Sequence, residues 1–349
     1  MGRRNLKADR FEHEMLREIY EQPNSLARTL NSINVSSLER KAGHEVGMVY
    51  LTGSGTSYHA CMAVNYLISR LSSLSSSTIP ASEFAAWTSR MKPPPNTCLI
   101  AISQSGESID VVRAARSAAH SGMRTFAVTN AKNSRLSRVV DATVLARAGP
   151  EKAVTATKSF TSTLLAAYML ALALIKRNDL AKDLIRVPAL VSKTFSLCGE
   201  KCKSIAVKFK DREFFFLLGS GSNMATALEG ALKLKESCNL FAEGFATREF
   251  LHGPMQLVDN RTPIFLLQDG GREDVPKLAE SFQKLGAPTI IVGPSIRGAV
   301  GETVEVAEGL EELFLPLTYV IPLQLFAYYS SVTRGLNPDN PTKLRKVVR

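Results

Sequence analysis

Residues 98–109 read CLIAISQSGESI, and the fold of this 349-residue chain can be worked out from that stretch. Leu99–Ile102 has the apolar character of the end of a buried strand. Ser103-Gln104-Ser105-Gly106-Glu107-Ser108 then sets three hydroxyls around a glycine, and Val111, Val112, Ala115, Ala118 and Ala119 follow at helical spacing. A strand that turns through Ser and Gly into a helix N-terminus forms an anion cradle. The first-turn N–H groups lack partners, and the helix dipole adds partial positive charge there. That dipole contributes about 0.3–1 kcal/mol when exposed and up to ~2 when partly buried, so several donors must act together. The same residues also suit an ordinary helix start, with Ser105 or Ser108 as the cap. The remainder of the chain has to decide between the two readings.

Upstream, Val46–Thr52 reads as a strand, Gly53-Ser54-Gly55-Thr56-Ser57 as a turn, and the next residues to Leu71 as a helix. Ser72–Thr78 reads as a loop and Ile79–Phe84 as a short strand. Downstream, Thr125–Thr129 and Ala142–Ala146 read as strands, and Ser159–Lys176 as a long helix. Strands alternating with helices predict a parallel sheet covered on both faces. The pattern then restarts. LTGSGTSYHA at 51–60 and LLGSGSNMAT at 217–226 share strand, Gly-Ser-Gly, hydroxyl and helix, 166 residues apart, which points to an internal duplication. Phe214–Leu218, Thr262–Leu267 and Thr289–Val292 read as strands of the second half. After Gly219-Ser220-Gly221-Ser222-Asn223 a helix runs through Glu236, and another covers Leu313–Ser330, with the link between halves near Leu180–Lys203. Phe11–Leu30 reads as two helices divided by Pro23.

Composition narrows the function. The chain is 45% hydrophobic and 21% charged, an ordinary globular balance. Its net charge is +11, but Arg3, Arg4, Lys7 and Arg10 against Asp9 give +3 and Lys343, Arg345, Lys346 and Arg349 give +4, so the two tails carry a net seven of those charges. A mildly basic body suits a small anion better than a polynucleotide, so no nucleic-acid partner is expected. Five scattered cysteines form neither a disulfide framework nor a zinc pattern. The first ten residues lack an apolar run, and Leu164–Ile175 is too short to span a bilayer. A cytoplasmic protein with no membrane partner is expected. Neither Gly-Ser-Gly turn completes a dinucleotide fingerprint, since Tyr58 and Met224 stand where a third glycine belongs, and no Gly-Lys-Ser/Thr is present.

Two further segments could carry chemistry. On a helix, Glu229, Lys233 and Glu236 share one face. That pattern is either a solvated salt-bridge stripe or an acid–base group in the crevice at the strand ends. His252, in Leu251-His252-Gly253-Pro254, either bonds a backbone carbonyl or exchanges protons with a sugar hydroxyl. The stretch 336–341, stiffened by two prolines, leads into Leu344-Arg345-Lys346. That tail is either solvated or folds over a site and delivers a lysine.

Taken together, Gly55-Thr56-Ser57, Ser103–Ser108, Thr157-Lys158-Ser159-Phe160-Thr161, Glu229–Glu236, His252-Gly253-Pro254 and Asp339-x-Pro341-x-x-Leu344-x-Lys346 resemble the double SIS (sugar isomerase) family. The similarity is to the isomerase half of glucosamine-6-phosphate synthases and to stand-alone glucosamine-6-phosphate deaminases of that fold. The resemblance implies an α/β protein of two tandem SIS domains, each a flavodoxin-like three-layer αβα unit. The expected boundaries are an N-terminal helical segment at 1–45, SIS domains at 46–185 and 200–332, and a tail at 333–349 that closes over the site. It implies that Ser57, Ser103, Gln104, Ser105 and Ser108 hold the phosphate and that Val154 meets the sugar through its backbone. Glu236 would then move a proton between C1 and C2, with Lys233 and Glu229 as charged neighbours. His252 would open the ring from the neighbouring subunit of a homodimer, and Lys346 would close over the sugar. The implied activity is glucosamine 6-phosphate deamination to fructose 6-phosphate and ammonia, or its reverse, with no cofactor or metal. A related aldose–ketose isomerase, a fructosamine-phosphate deglycase and a non-catalytic sugar-phosphate sensor are the alternatives. Two departures stand out. Met1 is not followed by cysteine and little chain precedes Val46, so glutamine-dependent synthesis by this chain alone is not expected. Ala156 stands where the synthases usually have serine.

Overall fold

The computed structural model describes residues 11–43, 45–90, 92–268, 271, 274–296 and 298–346. The outer parts of the expected N-terminal segment and C-terminal tail, 1–10 and 347–349, lie outside the described residues.

Two five-stranded parallel sheets form the body. In the first half these are β1 (Met48–Gly53), β2 (Ser75–Pro80), β3 (Thr97–Ile102), β4 (Arg124–Thr129) and β5 (Ala142–Leu145), ordered β2-β1-β3-β4-β5. In the second half they are β6 (Phe214–Gly219), β7 (Phe241–Ala246), β8 (Ile264–Leu267), β9 (Thr289–Gly293) and β10 (Glu302–Glu305), ordered β10-β9-β8-β6-β7. Read from the other edge, the second sheet repeats the winding of the first, as a duplication requires. This is the flavodoxin-like order, and its direction reverses between β1 and β3, and again between β6 and β8. All six residues of β3 are buried, consistent with a central strand covered on both faces.

Of the four edge strands, only β5 falls where a strand was expected. Of the loop expected at Ser72–Thr78 only 72–74 is loop, and of the strand expected at Ile79–Phe84 only 79–80 is strand. Residues Ser75–Pro80 pair with β1, and Ala81–Thr88 is a helix. Only Ile79 of β2 is buried, so the serines pair through their backbone without an apolar signal. Pro80 ends the strand, where its missing donor costs least. The edges β7 and β10 likewise bury one residue each and carry no sequence signature. In the N-terminal segment the break falls at Glu21, between helices Glu14–Tyr20 and Gln22–Ser32, with Pro23 inside the first turn of the second. A third helix, Val35–Ala42, starts at Asn34, whose side chain accepts from the Ser37 N–H at 2.8 Å.

The two halves share one core. Helices Thr56–Leu71, Lys158–Leu174, Val187–Lys208, Asn223–Cys238 and Pro316–Thr333 pack their apolar faces into a single cluster between the sheets, and smaller clusters cover the outer faces. The stretch expected to link the halves lies largely within the Val187–Lys208 helix, which packs along Pro316–Thr333. The segment Glu312–Thr333 is long and apolar enough to cross a membrane by length and composition, and 89% of its apolar window is buried inside the protein. Gly230 lets helix Asn223–Cys238 approach that core. A Cβ there would stand 2.5 Å from Leu323 Cδ1.

Candidate active site

β1 and β3 are neighbours at the reversal point, so the turns after them converge at one end of the first sheet. This is where open α/β sheets hold ligands. After β1, Gly55 (φ +53°) leads into the helix that carries Ser57 in its first turn. After β3, Gly106 adopts φ +64°, and a Cβ there would lie 2.2 Å from Ser134 Oγ. The Gly106 N–H donates to Ser103 Oγ at 3.1 Å, and the Glu107 N–H donates to Ser105 Oγ at 3.1 Å. The Gln104 carbonyl accepts from the Asn130 N–H at 3.0 Å, pinning the turn to the end of β4. Ser108 occupies the N-cap position of helix Ile109–His120 but makes no side-chain cap bond, and Ser105 closes a local turn instead. Neither serine therefore behaves as a conventional helix cap. Gly106→Ala is expected to destabilise the protein by about 1–3 kcal/mol through overpacking against Ser134. It is also expected to weaken inorganic phosphate binding, both changes being measurable by urea unfolding and calorimetry.

Helix Asn223–Cys238 packs across the seam against helix Thr56–Leu71. Glu229 and Lys233 are both fully buried there, so they are not a solvated stripe. Lys233 Nζ lies 3.1 Å from Glu229 Oε1 and 2.6 Å from Glu236 Oε2. It also donates to Thr56 Oγ1 at 3.0 Å, and Thr56 donates to Glu229 Oε1 at 3.0 Å. His59 Nδ1 stands 2.7 Å from Glu229 Oε2. Burial acts to raise the Glu229 carboxyl, but the Lys233 charge and the His59 bond outweigh it, and the group is held below the usual carboxylate range. Burial likewise acts to lower the Lys233 ammonium, and the carboxylates of Glu229 and Glu236 push it well above the usual lysine range. Glu236 keeps 23% of its side chain exposed, so it is the member of the trio that a ligand can reach. Sequence reasoning named Thr56 only as part of the Gly55-Thr56-Ser57 motif, without this role, and missed His59. Their spacing places them on one helix face beside Ser57, which was the available signal.

The loop after β5 brings together Val154 and Lys346. Glu151, with a fully buried side chain, accepts from the Thr157 and Ser159 N–H groups at 3.0 Å each and from Ser159 Oγ at 2.6 Å. Its remaining partner is Lys346 Nζ, at 2.9 Å, which also bonds the Ala153 carbonyl. Burial acts to raise the Glu151 carboxyl, but Lys346 and these bonds hold it low. The Val154 N–H donates to the Asp339 carbonyl at 2.9 Å, so a backbone contact to a ligand falls to the Val154 carbonyl. A cavity of about 750 Å³ lies behind this loop, beside Arg17, Glu21, Arg28 and Lys158, rather than over the serine turn.

His252 is exposed on the turn after helix Thr247–Phe250, and its backbone N–H donates to the Glu249 carbonyl at 3.0 Å. Among the described residues no side-chain hydrogen bond or ion pair joins it to the Glu229–Lys233–Glu236 group. Met255 and Leu257 are exposed beside it. All five cysteines are buried and unpaired, and burial pushes the thiols of Cys98 and Cys238 up to about 12. Among the described residues no three His, Cys, Asp or Glu side chains are grouped to hold a metal ion.

The family model described as SIS domain matches residues 44–173 and 208–334. The isomerizing glutamine–fructose-6-phosphate aminotransferase of Pyrobaculum aerophilum is 38% identical over 352 residues, covering 97% of this chain and 58% of the relative. Its counterpart in Methanothermobacter thermautotrophicus is 36% identical over 345 residues, with the same coverages of 97% and 58%. The chain thus spans 58% of the length of these curated relatives. Among solved structures, the C-terminal domain of glucosamine-fructose-6-phosphate aminotransferase from Francisella tularensis superposes with a TM-score of 0.86. It is 28% identical and covers 95% of this chain and 99% of that one. A glucosamine-6-phosphate deaminase from Thermotoga maritima, 24% identical with a TM-score of 0.79 and covering 96% and 99% of the two chains, shares the fold.

Proposed function

This chain belongs to the SIS domain family, and from that premise we propose that it is a phosphosugar enzyme converting glucosamine 6-phosphate and water to fructose 6-phosphate and ammonia, or running the reverse amination. One observation carries the reading. Glu236 is joined through Lys233 to Thr56, and Thr56 directly precedes Ser57 at the serine-rich end of the first sheet. A carboxylate of one half is thus tied, through one lysine, to the residue that precedes Ser57 in the other half.

The chemistry follows from those roles. Ser57, Ser103, Gln104, Ser105 and Ser108 hold the phosphate with neutral hydroxyls and peptide amides, so binding energy at the unreactive end orients C1 and C2. His252 of a second subunit opens the ring by exchanging protons with the ring oxygen and the C1 hydroxyl. Its exposure on an outer turn suits a homodimer in which each subunit lends this residue to the other. Glu236 removes the proton from C2, giving an enaminol, and returns a proton to C1. The C2 imine then adds water, and ammonia leaves. Lys346 and the Val154 carbonyl close the sugar side. The aminotransferase relatives favour the same steps read backwards, with ammonia entering at C2 of fructose 6-phosphate.

The test is to incubate the purified protein with glucosamine 6-phosphate and assay both products. Ammonia and fructose 6-phosphate are expected in equal amounts. Conversion of an aldose phosphate to its ketose without ammonia release would make the protein an isomerase, and tight binding with neither product would make it a sensor.

A further inference from the structure

We infer that Glu18, on the N-terminal helix Glu14–Tyr20, is a positioning residue that seats the sugar-side loop and, through it, the tail bearing Lys346. Its carboxylate is fully buried and accepts from the Lys152 N–H at 2.5 Å and the Ala153 N–H at 3.3 Å. Those amides immediately precede Val154, and the Ala153 carbonyl is the one that Lys346 bonds. The Val154 N–H in turn donates to the Asp339 carbonyl. The Asp339 side chain accepts from the Glu14 and Met15 N–H groups at 2.9 and 2.7 Å, at the start of the helix that carries Glu18. Helix, loop and tail therefore close a ring of hydrogen bonds, and moving one member strains the other two. The inference rests on the reading of Val154 and Lys346 as sugar-side groups.

Glu18 also makes the ring responsive to protons. Arg17 lies 3.6 Å from its carboxylate on the same helix, and Lys158 lies 3.9 Å away at the head of the helix after the loop. Glu151 on the loop and Lys346 on the tail also act on its charge. Burial pushes the carboxyl up, the Lys152 amide pulls it down, Glu151 adds to the rise, and Lys158 and Lys346 oppose it. The balance lies at about 7. The ionised carboxylate is the better acceptor for both amides. The loop is thus held firmly above neutrality and released below it. The fold's stability runs the other way. A carboxyl raised in the folded state contributes fully below its unfolded value, and the contribution fades as pH rises through about 7.

The experiment is amide hydrogen exchange on the unliganded full chain, corrected for intrinsic rates, between about pH 6 and pH 8.5. In the wild type the amides of Lys152 and Ala153 are expected to gain about tenfold protection across that range, while β3 amides stay constant. Glu18→Gln is expected to abolish that pH dependence and leave the two amides fast-exchanging throughout. In turnover assays it should lower kcat about tenfold while inhibition by inorganic phosphate, which reads the serine turn, is unchanged. A wild-type profile flat across neutrality, or a Glu18→Gln profile that still follows pH, overturns the inference. The wild-type profile decides even if the variant does not fold. Because exchange needs no substrate, a failure of the deaminase assay and a failure of this inference are separate results.

Discussion

Glu236→Gln is expected to lower glucosamine 6-phosphate turnover by about 10²–10⁴-fold, the usual contribution of a positioned acid–base group. The side chain keeps its shape and a hydrogen-bonding oxygen toward Lys233 but loses the charge that accepts the C2 proton. Phosphate binding, assigned by the proposal to the serine turn, should change by no more than about twofold, so the loss falls on kcat and not on KM. A Glu236→Gln protein with normal kcat would remove the mechanism. The same variant tests the subunit arrangement. His252→Asn alone is also expected to be inactive, yet a mixed dimer of the two variants contains one site with both groups intact. Recovered activity on mixing supports donation of His252 across the interface, persistent inactivity places His252 in the site of its own subunit, and an active His252→Asn protein places it outside the reaction.

The largest stability loss is expected from Lys233→Ala, about 3–5 kcal/mol, because it leaves a buried carboxylate without its cation. Glu229 then has only Thr56 and His59 beside it, at 3.0 and 2.7 Å. Urea unfolding measures the loss. Its pH dependence gives the sign. In the wild type the Glu229 carboxyl is held below its ordinary value, so its contribution is present above the unfolded pKa and fades as acid takes pH down through the folded one. Without Lys233, burial dominates and raises that carboxyl, so the variant should recover stability as pH falls toward the point where Glu229 is neutral. A Lys233→Met/Glu229→Gln double variant should regain part of the loss. If Lys233→Ala unfolds like the wild type at neutral pH, the buried pair contributes nothing to the fold.

Central strands announced themselves in the residue order, and of the four edge strands only β5 did. β3 and β6 read as TCLIAI and FFFLLG because both their faces are covered. β2 is SSSTIP because it pairs on one side only and needs a single apolar contact. The site divides along a similar line. The serine turn and its glycine form one contiguous segment, so their chemistry is local and legible. The burial of Glu229 and Lys233 was not, since charges four residues apart look the same on a wet helix and in a seam. What decides between them is Gly230 meeting Leu323 and the approach of the Thr56–Leu71 helix. The bonds made by Glu18, His59 and Asp339 escaped notice because their partners lie 134, 170 and 325 residues away. No windowed pattern reaches that far.

The helix Val187–Lys208 joins the two halves, and its 22 residues make a rod about 33 Å long, clamped along Pro316–Thr333 and Gln22–Ser32. A rod so gripped cannot act as a hinge. The repeats are braced like the two ends of a strut, and jaw-like opening would have to tear that packing apart. Admission of the proposed sugar phosphate and escape of its product would therefore fall to the short tail and the rim loops, whose excursions cost far less than parting the halves.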